Sequence, residues 1–232
     1  MKVRTHHRWN PDYSEAVALQ ERLRARVLLR PLPLRKIRFV AGMDVAVSKR
    51  LNRLVSAVVV FRFPKLERIE TRLATTRIDF PYIPGLLSFR EIPALIRCLQ
   101  KVTSPIDVVL CDGHGVAHPR GLGLASHLGL LLGKPSVGCA KSRLVGDHDG
   151  VGPARGDHTP LIHERRRVGT VLRTRDGVKP LFVSPGHLVD HAASCKITLA
   201  CGGGFRLPEP TRWADRLAGQ EKRRREARAT AS

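Results

Sequence analysis

The sequence predicts an α/β protein whose helices flank a mixed sheet of three antiparallel strands followed by two parallel ones. Two observations support this fold class. Three strand-like runs follow one another through short turns over residues 37–78, which is typical of an antiparallel meander. Helical and strand-like segments then alternate between residues 93 and 140, and this βαβ rhythm indicates parallel pairing.

Each element has its own local signal. Apolar residues that recur every three or four positions predict the helices, and short apolar runs bounded by turns predict the strands. The predicted helices are 14–29, 93–100, 122–132, 190–199 and 213–218, and the predicted strands are 37–47, 54–63, 66–78, 107–111, 136–140, 169–175 and 179–184. The last two strands read as a hairpin, and residues 146–163 as an irregular loop. We expect one domain over residues 1–219 and a basic, disordered tail over 220–232.

The charge of the chain indicates its partner. Its 232 residues include 41 Lys and Arg against 20 Asp and Glu, a formal charge of +21, with a pI near 11.1. Such an excess favours polyanions. The chain has only 7 Phe, 2 Tyr and 2 Trp, too few for a surface of base-stacking platforms. The phosphate backbone of a nucleic acid should therefore dominate binding.

Cysteine use and hydropathy indicate the compartment. The five cysteines form an odd set without a C-x-x-C pair, which fits buried free thiols in a reducing environment. The N-terminal residues are polar and lack the apolar stretch of a signal peptide. No segment has the length of a membrane span. We expect a monomeric cytoplasmic protein without a membrane partner.

A stiffened loop carries an aromatic ring. The segment Phe80–Glu91 reads F-P-Y-I-P-G-L-L-S-F-R-E. Pro81 and Pro84 restrict the backbone, and Gly85 permits a turn or a close approach. Tyr82 is therefore predicted to point outward, although a proline-rich connection with a half-buried tyrosine explains the segment equally well in isolation.

Acidic residues are predicted to converge from separate strands. Alternation along the first strand places Asp44 on the face opposite Ala41 and Met43, between small neighbours. A buried unpaired carboxylate is costly, so it needs a cation or a hydrogen-bond partner. Asp112 and Lys141 each follow a predicted parallel strand, and side chains at such strand ends open into a shared cleft. His118 lies in the loop that leaves the first of these strands.

Glu91 has two interpretations. The sequence S-F-R-E from Ser88 fits a capping box, in which Glu91 only holds a helix start. Pro93 argues against this, because proline is better tolerated at the first position of a helix. We therefore favour Glu91 as a free ligand at a junction between loop and helix.

The predicted cluster of carboxylates suits a hard, oxygen-seeking ion such as Mg²⁺, for which Mn²⁺ could substitute. Zinc is disfavoured, because the chain has neither H-E-x-x-H nor a plausible cysteine set. A Walker-type phosphate loop is also absent, so no nucleotide cofactor is expected. Magnesium at a carboxylate cluster supports hydrolysis of a phosphodiester.

Five motifs together resemble the endonuclease V family, the deoxyinosine 3′-endonucleases. The motifs are G-M-D-V-A around Asp44, P-Y-I-P-G-L-L-S-F-R-E, D-G-H-G-V-A-H-P-R from Asp112, G-C-A-K ending at Lys141, and R-L-P-E-P-T-R. They occur in the order of the family and run from about Arg38 to Ala218. The two central motifs are long enough to be highly specific.

The resemblance implies an RNase H-like fold and a set of residue roles. A Mg²⁺ site would use Asp44, Glu91 and Asp112, with His118 and Lys141 assisting at the scissile phosphate. Tyr82 would be the wedge that fills the gap left by a base rotated out of the stack. Gly85, Leu87 and Gly113 would line the hypoxanthine pocket. Asp215 would be a surface helix residue with a doubtful role in metal binding.

The resemblance implies cleavage of the second phosphodiester on the 3′ side of a deoxyinosine, leaving a nick in DNA. Two alternatives remain open at this point. One is a ribonuclease that acts mainly on inosine-containing RNA at the same site. The other is a basic nucleic-acid-binding protein without turnover, for which the charge alone would suffice.

Overall fold

The computed structural model describes residues 7–230. The helices are α1 (Tyr13–Arg24), α2 (Leu87–Leu99), α3 (Leu124–Leu132), α4 (His191–Ala200) and α5 (Glu209–Arg228), with a 3₁₀ turn at Leu34–Lys36. The strands are β1 (Phe39–Ser48), β2 (Arg53–Arg62), β3 (Glu67–Arg77), β4 (Val108–Cys111), β5 (Ser136–Ala140), β6 (His158–His163), β7 (Arg166–Leu172) and β8 (Leu181–His187). The first six residues of the predicted domain 1–219 and the last two of the predicted tail 220–232 lie outside the described residues.

The strands form one mixed sheet in the order β3-β2-β1-β4-β5-β8-β7-β6. β3, β2 and β1 pair antiparallel, and β1, β4 and β5 pair in parallel. The predicted mixed sheet is therefore confirmed. The predicted hairpin corresponds to β7 and β8, which pair antiparallel and, together with β6, extend the sheet beyond β5.

Helices cover both faces of the sheet, and the alternation of β1 decides which side chains face which layer. Ala41 and Met43 pack with the buried residues of α2 and α3. Val40 belongs to the opposite core, which includes residues of α4, and α5 packs on β1 and β2 on that side. A Cβ at Gly42 would lie 1.9 Å from the carbonyl carbon of Pro210. Glycine at this position therefore lets the start of α5 approach β1, next to Asp44.

Two predictions in the peripheral elements are wrong. The first helix was expected over 14–29, but α1 ends at Arg24. Leu28 instead accepts a hydrogen bond from the backbone N–H of Leu188 at 2.7 Å, so the chain has already turned to follow the end of β8. Residues 158–163, expected to be loop, form β6 at the edge of the sheet. Outside its pairing with β7, β6 is bridged among the described residues at Ile162, by Asp147, and an edge strand of this kind tolerates a proline such as Pro160.

The predicted disordered tail is also wrong over residues 220–228, because α5 continues unbroken to Arg228. The buried residues of α5, which from Thr211 onward recur every three or four positions, are Pro210, Thr211, Ala214, Ala218 and Glu221. The last of these buried positions is occupied by a charged residue. Glu221 is stabilised there by ion pairs with Arg224 and Arg225 at 2.6 and 2.7 Å.

Among the described residues, no helix is both long enough and apolar enough to span a membrane.

Candidate active site

Three predicted site residues lie close to the carboxyl ends of β4 and β5, on three neighbouring strands of the sheet. β1 pairs in parallel with β4 as far as Met43 and Cys111, so Asp44 and Asp112 are the next residues on two neighbouring strands. Lys141 directly follows Ala140, the last residue of β5. The parallel order of β1, β4 and β5 thus brings together side chains that are up to 97 positions apart in the sequence.

A single ammonium group bridges two carboxylates at this edge. Nζ of Lys141 lies 2.6 Å from Oδ2 of Asp112 and 3.4 Å from Oδ2 of Asp215 on α5. Burial works against the charged lysine, but its hydrogen bond and charge interaction with Asp112 raise the pKa of Lys141 overall. Burial raises the pKa of Asp112 in spite of Lys141. Asp215, expected to be a surface helix residue, is half exposed and belongs to this group of charges.

The carboxyl groups of Asp44 and Glu91 both have strongly raised pKa values. Burial, followed by the charges of Asp112 and Asp215, raises the pKa of Asp44 to about 7. Burial and the charge of Asp44 raise the pKa of Glu91 to about 8. Each carboxylate makes ionisation of the other more costly. One lysine does not offset this repulsion, so the site favours an additional positive charge.

Glu91 lies inside α2, not at a junction between loop and helix as predicted. The helix begins at Leu87, and its N-terminus has no side-chain capping hydrogen bond, so the capping-box alternative is also wrong. Pro93 sits within the helix, where the missing N–H costs one hydrogen bond. Buried Phe89, Ile92 and other residues of the apolar face of α2 offset that cost. Glu91 is therefore free of any capping role.

The donor set of the cluster fits a hard divalent cation. Within residues 7–230, however, no group of three His, Cys, Asp or Glu side chains stands close enough together to hold a metal ion by itself. Mg²⁺ rarely requires such a cage, because it is commonly held by one or two carboxylates while water and substrate phosphates complete its shell. The adjacent pair Asp44 and Asp112, with Glu91 beside it, has the required chemistry.

A cavity of about 340 Å³ adjoins the cluster. Asp112, Lys141 and Tyr82 all line it. The side chain of Tyr82 is 65% exposed, so the prediction that this ring points outward is confirmed. The residues predicted to line a base pocket, Gly85, Leu87 and Gly113, all line this cavity.

One carbonyl oxygen fixes the loop that carries Tyr82. The Gly85 oxygen accepts hydrogen bonds from Gln20 Nε2 at 2.9 Å, Arg120 Nη2 at 2.8 Å and His118 Nε2 at 2.9 Å. Gln20 Oε1 in turn accepts from Arg120 Nε at 2.5 Å. Gly85 has φ of +79°, which favours glycine. We call Gln20, His118 and Arg120 the Gly85 clamp.

His118 therefore lies in the wall of the cavity, within this clamp. Its Nε2 donates to Gly85, and its Nδ1 accepts from the backbone N–H of Arg120 at 3.2 Å. Burial and the charge of Arg120 lower the pKa of His118 to about 4, so the ring is neutral at pH 7. A neutral ring with both nitrogens engaged positions the loop.

Comparison with known proteins decides the family. The family model described as Endonuclease V matches residues 21–216. Endonuclease V of Rippkaea orientalis is 43% identical over 221 residues, 95% of this chain and 96% of the relative. The chain belongs to the endonuclease V family. Membership makes it an endonuclease, and it confirms the resemblance carried by the five motifs.

Solved structures of endonuclease V share the fold. The crystal structure of the Streptomyces avermitilis endonuclease V is 41% identical, with a TM-score of 0.87 and 100% of each chain covered. The Ciona intestinalis endonuclease V, solved in complex with a 24mer DNA containing an inosine followed by a ribo-adenosine, is 28% identical with a TM-score of 0.83, covering 91% of this chain and 97% of that one. The expected RNase H-like fold of the endonuclease V family is confirmed.

Sequence reasoning missed three residues at the candidate active site. Gln20 and Arg120 complete the Gly85 clamp, and Arg206 donates to the backbone oxygen of Lys141 at 2.6 Å. Gln20 gave a signal, because it interrupts the apolar face of α1 formed by Ala16, Leu19 and Leu23. Arg120 and Arg206 stood inside quoted motifs, but nothing local distinguished them from the many other arginines of a basic chain.

Proposed function

We propose that this chain is a Mg²⁺-dependent DNA repair endonuclease. It recognises deoxyinosine, the product of adenine deamination, and hydrolyses the second phosphodiester on the 3′ side of the lesion, leaving a nick. Mn²⁺ prefers the same oxygen ligands and is expected to substitute for Mg²⁺.

One observation carries this proposal: a cavity of about 340 Å³ is lined both by Asp112 and Lys141 of the carboxylate cluster and by the exposed Tyr82. Such a cavity, with polar groups in its wall, has the dimensions of a small-ligand site. An enzyme that acts at a flipped base needs a pocket for the base, a group that fills the gap in the stack, and chemistry at the backbone nearby. The residues that we assign to these three roles line or adjoin one cavity.

The residues divide the work. Tyr82 stacks on the bases that the lesion leaves behind, and the Gly85 clamp holds its loop against the cavity. Gly85, Leu87 and Gly113 shape the pocket around the extruded base. Lys141, held between Asp112 and Asp215, presents its ammonium group to the scissile phosphate and stabilises the charge that develops there.

Asp44, Glu91 and Asp112 would hold the metal together with water and a substrate phosphate, since the described carboxylates do not form a complete cage by themselves. When bound, Mg²⁺ would polarise the phosphodiester and activate water for attack. Burial, and then repulsion between the carboxylates, raises the pKa values of Asp44 and Glu91 to about 7 and 8, and a bound cation would offset both effects.

A nicking assay tests the proposal. A duplex with one deoxyinosine, labelled at the 5′ end of the lesion strand, is incubated with the enzyme with and without Mg²⁺. The expected product ends at the second phosphodiester 3′ of the inosine and forms only with Mg²⁺. An adenine duplex of the same sequence is the substrate control, and Asp44→Asn is the enzyme control.

Three outcomes would overturn parts of the proposal. Cleavage of the adenine duplex at the same rate removes lesion recognition. Preference for a labelled inosine-containing RNA in a competition assay reassigns the enzyme to RNA. Binding without Mg²⁺-dependent nicking leaves only a basic nucleic-acid-binding protein.

A further inference from the structure

A hairpin of the sheet projects beyond the cleft. β1 pairs with β4 only as far as Met43, but it continues with β2 in register to Ser48 and Arg53. These last five residues of β1 extend about 16 Å at 3.3 Å per residue. Because β1 is parallel to β4 and β5, this extension, along which β3 remains paired with β2 as far as Arg53 and Arg77, lies beyond the strand ends that carry Asp112 and Lys141.

The second half of α5 is fastened to this hairpin. Ser48 Oγ donates to Glu226 Oε1 at 2.6 Å. One turn earlier, Glu221 is 9% exposed and holds Arg224 through two hydrogen bonds of 2.6 and 2.8 Å. The helix therefore does not trail into solvent but braces the hairpin along its length.

The two segments together form what we call the basic arm, residues 49–53 and 222–228. Eight basic side chains lie in or beside it against the two acids Glu221 and Glu226: Lys49, Arg50, Arg53, Lys222, Arg223, Arg224, Arg225 and Arg228. Four of these arginines line a recess of about 370 Å³ where the segments meet: Arg53, Arg224, Arg225 and Arg228. Glu221 forms ion pairs with both Arg224 and Arg225, so one carboxylate is shared by two arginines of the recess.

We propose that the basic arm binds the phosphate backbone of the DNA duplex that flanks the lesion, as a second contact separate from the cleft. Asp215 and Arg228 are thirteen residues apart on α5, which corresponds to about 20 Å. Duplex DNA rises about 3.4 Å per base pair. The arm thus contacts phosphates about six base pairs from the scissile bond, on one side only.

This inference rests on the proposed function, since it concerns the same substrate. Phosphate contacts carry no sequence or lesion information, but they add affinity that falls with salt. The arm therefore contributes to holding and positioning the duplex, while recognition of inosine stays with the pocket. Residues 222–228 also lie beyond the part of the chain that matches the family model.

Two triple variants of equal charge test the arm. The arm variant carries Lys49→Gln, Arg50→Gln and Arg223→Gln, all at exposed positions. The control variant carries Arg35→Gln, Lys36→Gln and Lys65→Gln, which are also exposed but lie near the amino end of β1, away from the cleft. Each protein is assayed on 30-base-pair duplexes in which a single inosine is moved from the centre toward either end, and thermal melting verifies that both variants are folded.

The parent enzyme and the control variant are expected to lose kcat/KM when the lesion comes within about six base pairs of one end, but not of the other. The arm variant is expected to show no such dependence. Its plot of log Kd against log salt should be shallower by about 0.9 for each phosphate contact removed. The inference is overturned if the arm variant keeps the end dependence and salt slope of its parent. Absence of cleavage by the parent enzyme would instead refute the proposed function.

Discussion

The Nζ of Lys141 lies 2.6 Å from Oδ2 of Asp112. The lysine that directly follows β5 thus forms an ion pair with the acid that directly follows β4. The two residues are neighbours only because these strands are parallel and adjacent. Among the described residues, Asp44 forms no ion pair of this kind. The cluster therefore combines one paired carboxylate with two that repel each other, Asp44 and Glu91, and this imbalance supports the proposal that a cation binds there.

Replacing Lys141 should separate catalysis from metal binding. Lys141→Met removes a positive charge that opposes a metal ion, so the Mg²⁺ concentration for half-maximal activity should stay the same or fall. The turnover number should drop about 10²- to 10³-fold, because a charged donor to the transition state is lost. Steady-state nicking across a Mg²⁺ series measures both. A variant with unchanged turnover would show that Lys141 serves only the folded structure.

Tyr82 should contribute to lesion recognition through its ring. Tyr82→Ala is expected to weaken binding of an inosine duplex by about 1–3 kcal/mol, the cost of losing one stacking contact. Binding of the undamaged duplex should change little, because phosphate contacts remain. Tyr82→Phe keeps the ring and is the matched control. Equal losses on damaged and undamaged DNA would contradict the wedge role.

Gln20 is predicted to position the base pocket. Gln20→Glu keeps the size of the side chain and an acceptor for Arg120, but it cannot donate to the oxygens of Gly85 and Leu122. Loss of these bonds at a fully buried position should destabilise the fold by about 1–3 kcal/mol. The informative measurement is the ratio of kcat/KM for inosine to that for adenine, which should fall. If stability falls while this ratio holds, the clamp is merely structural.

Metal-free stability should decline as pH rises. The ordinary pKa values of Asp and Glu are 3.8 and 4.5. Burial and repulsion between carboxylates raise the pKa of Asp44 to about 7 and the pKa of Glu91 to about 8. Between about pH 4 and 8, the folded protein therefore holds protons that the unfolded chain has released, so folding becomes less favourable as pH increases.

A divalent cation replaces those protons, and hence Mg²⁺ should raise Tm more at pH 8.5 than at pH 6. Asp44→Asn should flatten the pH dependence of Tm without metal and diminish the effect of Mg²⁺. Thermal melting at several pH values tests this without any substrate. A Mg²⁺ effect that is equal at both pH values would be inconsistent with these pKa shifts.

The core of the site could be predicted because its geometry follows from local patterns. Alternation along β1 gives the face of Asp44, and the rule that parallel strands end at one edge brings Asp112 and Lys141 together. The position of Glu91 could not be obtained in this way. Pro93 suggests a helix start, and only tertiary packing of the apolar face of α2 overrides that preference.

The remaining errors share one physical cause. β6 is short and contains Pro160, its buried Leu161 packs in a small cluster with Val171 of β7, and its ladder is completed by pairing with β7. The end of α5 has no apolar anchor of its own. It is held by Ser48, far away in the sequence, and by a buried glutamate that a sequence pattern assigns to solvent. Long-range polar contacts of this kind leave no periodic signal.

The most direct test of the central claim is metal binding itself. Mn²⁺ binding to the substrate-free protein, followed by the electron paramagnetic resonance signal of the free ion, should reveal a site that Asp44→Asn and Asp112→Asn each weaken by at least about tenfold. Asp149→Asn, at an exposed acid, should bind like the parent protein. Equal Mn²⁺ affinity in all four proteins would contradict the claim that Asp44 and Asp112 hold the catalytic ion.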